Sequence, residues 1–151
     1  MSELDESRLD EYLALIRKKI EATGGNSSNC LSESEHITVT AYCLALEISN
    51  GGFEQFFVNP SGDRWRETLR AIKTVGATKL ANLFEKALSV FPDSAPSEDH
   101  ATRIDQLTAA GEPAETLLWR LDSEYDNRLP EECLYQLLTA FAIRQMESES
   151  S

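Results

Sequence analysis

Asn50-Gly51-Gly52-Phe53-Glu54-Gln55-Phe56-Phe57-Val58-Asn59 sets two adjacent glycines against an aromatic-rich turn. Upstream, Ile37, Ala41, Leu44, Ala45 and Ile48 recur at helical spacing, and Ser32 or Ser34 can cap that helix. Asn50-Gly51 ends it, because both residue types tolerate the positive φ that closes helices. Phe53 to Val58 then reads as one or two helical turns, and Asn59-Pro60-Ser61-Gly62 as a turn. The junction is a tight elbow between helices. Its glycines supply φ values that other residues resist, while Phe53, Phe56 and Phe57 plug the core. Asn50, Gln55 and Asn59 are placed to satisfy loose backbone groups around the bend. The competing reading is a polar pocket built from those three amides. Glycine and aromatic residues at an element boundary need no ligand to explain them, which favours the structural reading.

Outward from the elbow, helices continue in both directions. Leu9, Tyr12, Leu13, Ile16 and Ile20 form a stripe, with Arg17, Lys18 and Lys19 late in the run, where they complement the helix dipole. Residues 23–31, rich in Gly, Asn and Ser, read as a loop. On the other side, Asp63 is positioned to cap a helix carrying Trp65, Leu69 and Ile72, which Gly76 stops. Thr78 opens another helix with Leu80, Leu83, Phe84, Ala87, Leu88 and Phe91 as its stripe. After a break at Pro92 to Pro96, Ser97 can cap a more polar helix with Ile104 and Leu107, ended by Gly111. Pro113 fits the first turn of the next helix, which buries Leu117, Leu118, Leu121 and Tyr125. Pro130 starts the last helix, with Leu134, Leu137, Leu138 and Phe141, and residues 147–151 read as a frayed tail. Val39-Thr40-Ala41-Tyr42 is β-prone but lies inside a helical stripe. The expectation is an all-α, single-domain bundle over residues 1–151, with about seven or eight short helices.

Composition narrows the function classes. A hydrophobic content of 41% with 26% charge marks a globular chain. No apolar run approaches the ~18 residues of a membrane span, and the acidic N-terminus lacks the apolar stretch of a signal peptide, so the expected compartment is the cytoplasm. Cys30, Cys43 and Cys133 lack disulfide or zinc spacing; Cys43 and Cys133 read as small core hydrophobes, and Cys30 as a loop residue. Glu33-x-x-His36 matches half of a di-metal bundle site, but Ser97 stands three residues before His100, the other histidine. No metal or other cofactor is expected. Nucleophile-elbow, phosphate-loop and metalloprotease motifs are absent, so the chain is not expected to be an enzyme. Asp122 and Asp126 stand at i, i+4, a spacing that a solvated helix face also produces.

Charge is the second strong signal. The chain holds 26 acids and 14 bases, net −12. Residues 51–91 are net +2, residues 1–50 are net −5 and residues 92–151 are net −9, which makes a directional field. Such acidity argues against nucleic acid or an anionic membrane and allows a basic protein partner. The candidate face is Asp93, Glu98, Asp99, Asp105, Glu112, Glu115, Asp122, Glu124, Asp126, Glu131 and Glu132. Carboxylates spaced about like DNA phosphates could occupy a DNA-binding surface. Charge reversal at Glu112, Glu115, Asp122 and Asp126 is expected to weaken that contact without unfolding the domain. Arg64, Arg66, Arg70 and Lys73 form an opposing patch. A C2 homodimer follows if the basic middle of one subunit meets the acidic end of another.

The elbow, Asn50-Gly51-Gly52-Phe53-x-Gln55-Phe56-Phe57-x-Asn59, resembles the signature of a bacterial DNA-mimic protein family. Ala71-Ile72-x-x-Val75-Gly76-Ala77, Ala87-Leu88-x-x-Phe91-Pro92 and Leu121-Asp122-x-x-Tyr125 resemble its later elements, so the similarity spans roughly residues 37 to 143. The resemblance implies an all-helical fold, no cofactor, and an acidic protein that binds a helix-turn-helix regulator and keeps it off its operator. The alternative is an immunity- or antitoxin-type inhibitor of a basic toxin or nuclease. The remote alternative is an enzyme with a pocket at the elbow.

Overall fold

The computed structural model describes residues 7–24, 30–128 and 133–150, with backbone alone at 126–128, 149 and 150. Among them are six α-helices: α1 Ser7–Ala22, α2 Glu33–Val58, α3 Trp65–Thr74, α4 Thr78–Leu88, α5 His100–Arg128 and α6 Leu134–Ser150. Short 3-10 turns at Pro60–Arg64 and Pro92–Ser94 join α2 to α3 and α4 to α5. No strand occurs among the described residues, so the class is all-α, as the periodicity implies. The helix count falls below the expected seven or eight. Gly52 (φ 78°, ψ −164°) and Gly111 (φ 69°, ψ −155°) have non-helical dihedrals, so α2 and α5 are each two helical segments that run on across a kink. Both conformations suit a residue with no Cβ, so the axis turns and the next helical segment starts at once.

The start of α2 is latched to the end of α1. Ser32 caps α2: its Oγ accepts the Glu35 amide at 3.2 Å, and Glu35 Oε1 accepts the Ser32 amide at 2.8 Å, a reciprocal capping box. The other Glu35 oxygen takes Lys19 Nζ at 2.7 Å. Burial alone would push the Glu35 carboxyl up, but Lys19 and the Ser32 amide and hydroxyl together hold it below the ordinary range. Ser34, the other candidate cap, instead donates its hydroxyl to Gln145 Oε1 on α6 at 2.8 Å.

The core lies inside the elbow. Phe84 of α4 packs edge-on against Phe53 and Phe56, with centroids 6.2 and 5.5 Å apart, and Phe57 bridges Phe84 and Phe91 at 5.9 and 4.9 Å. These rings meet the buried Leu9, Tyr12 and Ile16 of α1, Leu118 and Leu121 of α5, and Leu138 and Phe141 of α6. No helix among the described residues is long and apolar enough to cross a membrane.

Several local expectations need correction. Asp63 does not cap α3; Arg64 holds that position without a side-chain bond, and Asp63 turns inward to an ion pair. Ser97 does not cap α5; Asp99 does, accepting the Thr102 amide at 3.0 Å and the Thr102 hydroxyl at 2.7 Å. Those two bonds lower the Asp99 carboxyl. Helix α6 runs through Ser150, with Met146 packed on the core. Cys43 is exposed rather than buried, while Cys30 and Cys133 are half-buried. Burial of part of its surface, with Glu47 nearby, still pushes the Cys43 thiol up. Pro130 and much of the 23–31 loop lie outside the described residues.

Candidate functional site

Residues 53–58 form a short helical segment whose two ends are held by one neighbour, α5. At the N-terminal end, Asp122 Oδ1 accepts the Phe53 amide at 2.9 Å. The approach is close: a Cβ built on Gly52 would lie 2.1 Å from Asp122 Oδ2. At the other end, Arg103 Nε donates to the Phe57 carbonyl at 2.7 Å, Nη2 to the Asn59 carbonyl at 2.9 Å, and Nη1 to the Ser97 carbonyl at 2.9 Å. His100 Nε2 meets the Val58 carbonyl at 2.7 Å. A carboxylate at the N-terminal end and a guanidinium at the C-terminal end both complement the segment's dipole. Arg103 has 0% exposure, and its charge is met by three carbonyls and by Asp63 at 2.8 Å, as a buried cation requires.

The elbow amides do other jobs than the sequence suggests. Asn59 Nδ2 donates to Glu47 Oε2 at 2.7 Å, and Asn50 is exposed. The Gln55 side chain lies against Gly51, where a Cβ would come within 2.8 Å of it. Only Gly52 of the glycine pair has positive φ. The bend's backbone is therefore satisfied by Asp122, Arg103 and His100, not by Asn50, Gln55 and Asn59. Its concave side is filled by Phe53, Phe56 and Phe57, each at most 1% exposed. His36 is half-buried near the start of α2, and His100 opens α5. Among the described residues no group of three or more His, Cys, Asp or Glu is placed to hold a metal ion.

Among the described residues, the acids of the arc stand in different surroundings. Asp122 turns inward to the elbow, so its expected place on a binding surface is corrected: reversing its charge would break the Phe53 tie. Glu98 pairs with Arg66, which also lies 4.4 Å over the Trp65 ring, so arc and basic patch meet within the fold. Lys73 pairs with Glu85 at 2.9 Å, while Arg64 and Arg70 are exposed. Asp99 is a helix cap, and Glu124 is half-buried. The Asp126 side chain, Glu131 and Glu132 lie outside the described residues. Asp93, Asp105, Glu112 and Glu115 remain exposed. Beyond the Gly111 bend, helical spacing places Glu112 and Glu115 seven and four residues before Trp119, on one side of α5. Trp119 is 73% exposed, the most open of the large hydrophobic side chains described.

Sequence reasoning passed over Arg103 and Trp119. Arg103 shares the register of Leu107, Ala114, Leu118 and Leu121, a stripe that is otherwise apolar, and that misfit is the available signal. Trp119 lies out of that register, which is the matching signal for an exposed indole.

A family model described as DMP19-like protein matches residues 29–146. No curated protein and no solved structure matches the chain. The matched span contains the elbow and the three α5 side chains that hold it, His100, Arg103 and Asp122.

Proposed function

Because the chain belongs to the DMP19-like protein family, we propose that it is an acidic protein-binding module whose α5 surface docks on a basic protein. The finer reading is that of a DNA mimic, covering the DNA-binding surface of a transcription regulator. The observation that carries it is Trp119, 73% exposed on the side of α5 that also bears Glu112 and Glu115. Carboxylates alone give a long-range field and fast encounter, and their attraction fades with salt. An indole among them adds an anchor that holds once water is expelled, and it stacks well on arginine guanidinium groups. The same chemistry suits a surface built to grip phosphates.

The test begins with a pull-down from lysate of the source cell at low salt, eluted by a salt gradient. A DNA-binding protein that elutes with salt, and that loses its own DNA site to this chain, supports the mimic reading. A toxin or nuclease in the eluate supports the inhibitor reading instead. Binding is then followed by the change in Trp119 emission, against the constant background of Trp65, which is buried at 6% exposure. Glu112→Lys with Glu115→Lys should weaken binding at least ~10-fold, about 1.4 kcal/mol, and flatten its salt dependence. Unchanged affinity in that variant, with the fold intact by circular dichroism, sinks the α5 surface as the docking face.

A further inference from the structure

Within its own fold the protein already holds one guanidinium between a ring and a carboxylate. Arg66 lies 4.4 Å over the Trp65 ring, and its Nη1 donates to the Glu98 carboxylate. The indole beneath is fixed, because Trp65 Nε1 donates to the Pro96 carbonyl at 2.9 Å. Ring face and carboxylate together engage the two features of an arginine head that lysine lacks, a flat delocalised surface and a rigid fork of donors.

Trp119 presents the same two parts on the outside of the molecule. It is 73% exposed, against 6% for Trp65. Glu115 stands one turn before it and Glu112 two turns before, and both are exposed. Residues four apart on a helix hold their Cβ atoms about 5–6 Å apart, and helical side chains lean toward the N-terminus. The indole is therefore set toward the turn that carries these carboxylates. Arg120, the next residue, is turned about 100° away around the axis and borders a shallow depression with Glu112, Pro113, Thr116 and Leu117. Among the described residues no cation lies over the Trp119 ring.

We infer that Trp119, Glu115 and Glu112 form an arginine-selective recognition site, in which a guanidinium of the docked protein lies on the indole face and donates to Glu115 or Glu112. The inference rests on the α5 docking reading and names the side chain that this surface selects. Carboxylates alone attract lysine and arginine through charge, an attraction that salt screens. An ammonium is compact and strongly hydrated, whereas a guanidinium is weakly hydrated and stacks on aromatic faces. The stacked contact therefore discriminates between them, and its share of the affinity outlasts the screening.

Two labelled peptides that differ only in carrying arginine or lysine at every basic position test it, titrated with the full chain and read by anisotropy. The arginine peptide should bind at least ~5-fold tighter, and that ratio should persist as salt lowers both affinities. Trp119→Leu keeps an apolar side chain but no ring, and should bring the two peptides level. Trp119→Phe should keep part of the preference. Far-UV circular dichroism shows that each variant is folded. Equal affinity of the native chain for both peptides overturns the inference, and so does a preference that Trp119→Leu leaves intact. In either case, loss of binding in Glu112→Lys with Glu115→Lys leaves the α5 surface standing as a docking face that reads charge alone. Peptides that bind the charge-reversed variant as well as the native chain, or bind neither, overturn the arginine site and the α5 face together.

Discussion

Gly52→Ala is the sharpest probe of the elbow. The backbone there, at φ 78° and ψ −164°, lies in a region essentially closed to residues bearing a Cβ, and holding alanine in it costs about 1–3 kcal/mol. The new methyl would also lie 2.1 Å from Asp122 Oδ2, so the carboxylate must leave. Its bond to the Phe53 amide goes with it, and a hydrogen bond to a charged group contributes about 1.5–3 kcal/mol. Together these give roughly 3–6 kcal/mol, a large part of the ~5–15 kcal/mol that holds a domain folded. Urea unfolding followed by circular dichroism should show the midpoint falling by about 2 M, for a slope of about 1–3 kcal/mol per molar. The double variant with Asp122→Ala separates the contributions. Asp122→Ala alone loses the hydrogen bond; in its background Gly52→Ala meets no carboxylate and keeps only the backbone strain. The two losses should therefore sum to more than the double variant shows, by about 1.5–3 kcal/mol. A loss under ~1 kcal/mol for Gly52→Ala, or strict additivity, would refute the account of the elbow.

Arg103→Met should cost about 3–5 kcal/mol, since it strands three carbonyls and the Asp63 carboxylate around a buried site; thermal melting measures it. Arg103→Lys should recover little, because one ammonium cannot serve partners in the directions of a planar fork. Glu35 predicts a pH dependence. Its folded pKa is depressed, so its contribution is fully present above the ordinary value of 4.5 and is lost as pH falls through the lower folded value. The gap in melting temperature between the native chain and Glu35→Gln should therefore be widest near neutrality and close in acid. A gap constant with pH would show that the Lys19–Glu35 latch adds nothing through charge.

Local features were legible and long-range ones were not. The stripes of α1 and α4, a serine cap at Ser32 or Ser34 and the bend at the glycine pair depend on neighbours within a turn or two, and the sequence displays those neighbours directly. Asp122 reads as surface because it shares an i, i+4 spacing with Asp126 and its partner lies 69 residues away. Arg103 contributes to the net charge like any other base, yet its fork closes on carbonyls 44 and 46 residues upstream. The candidate face suffered most from this. A list of acids cannot say which are caps, which are paired inside the fold and which face water, because those roles follow from packing. The acids left exposed on α5, and the indole beside them, emerge only once the buried stripe of that helix is fixed.

The two ties on the elbow have a kinetic consequence. Both reach forward along the chain, across 46 and 69 residues, so the segment carrying Phe53, Phe56 and Phe57 cannot close on local contacts alone. During synthesis at about 5–20 residues per second, the Asp122 tie becomes available roughly 3–14 seconds after Phe53 is made. For that interval three phenylalanines wait without the helix that seats them, the interval in which a nascent chain is most exposed to aggregation. Closing such long loops is slow, and it leaves few stable part-folded forms once complete. The fold should therefore appear late and all at once, after α5 has left the ribosome.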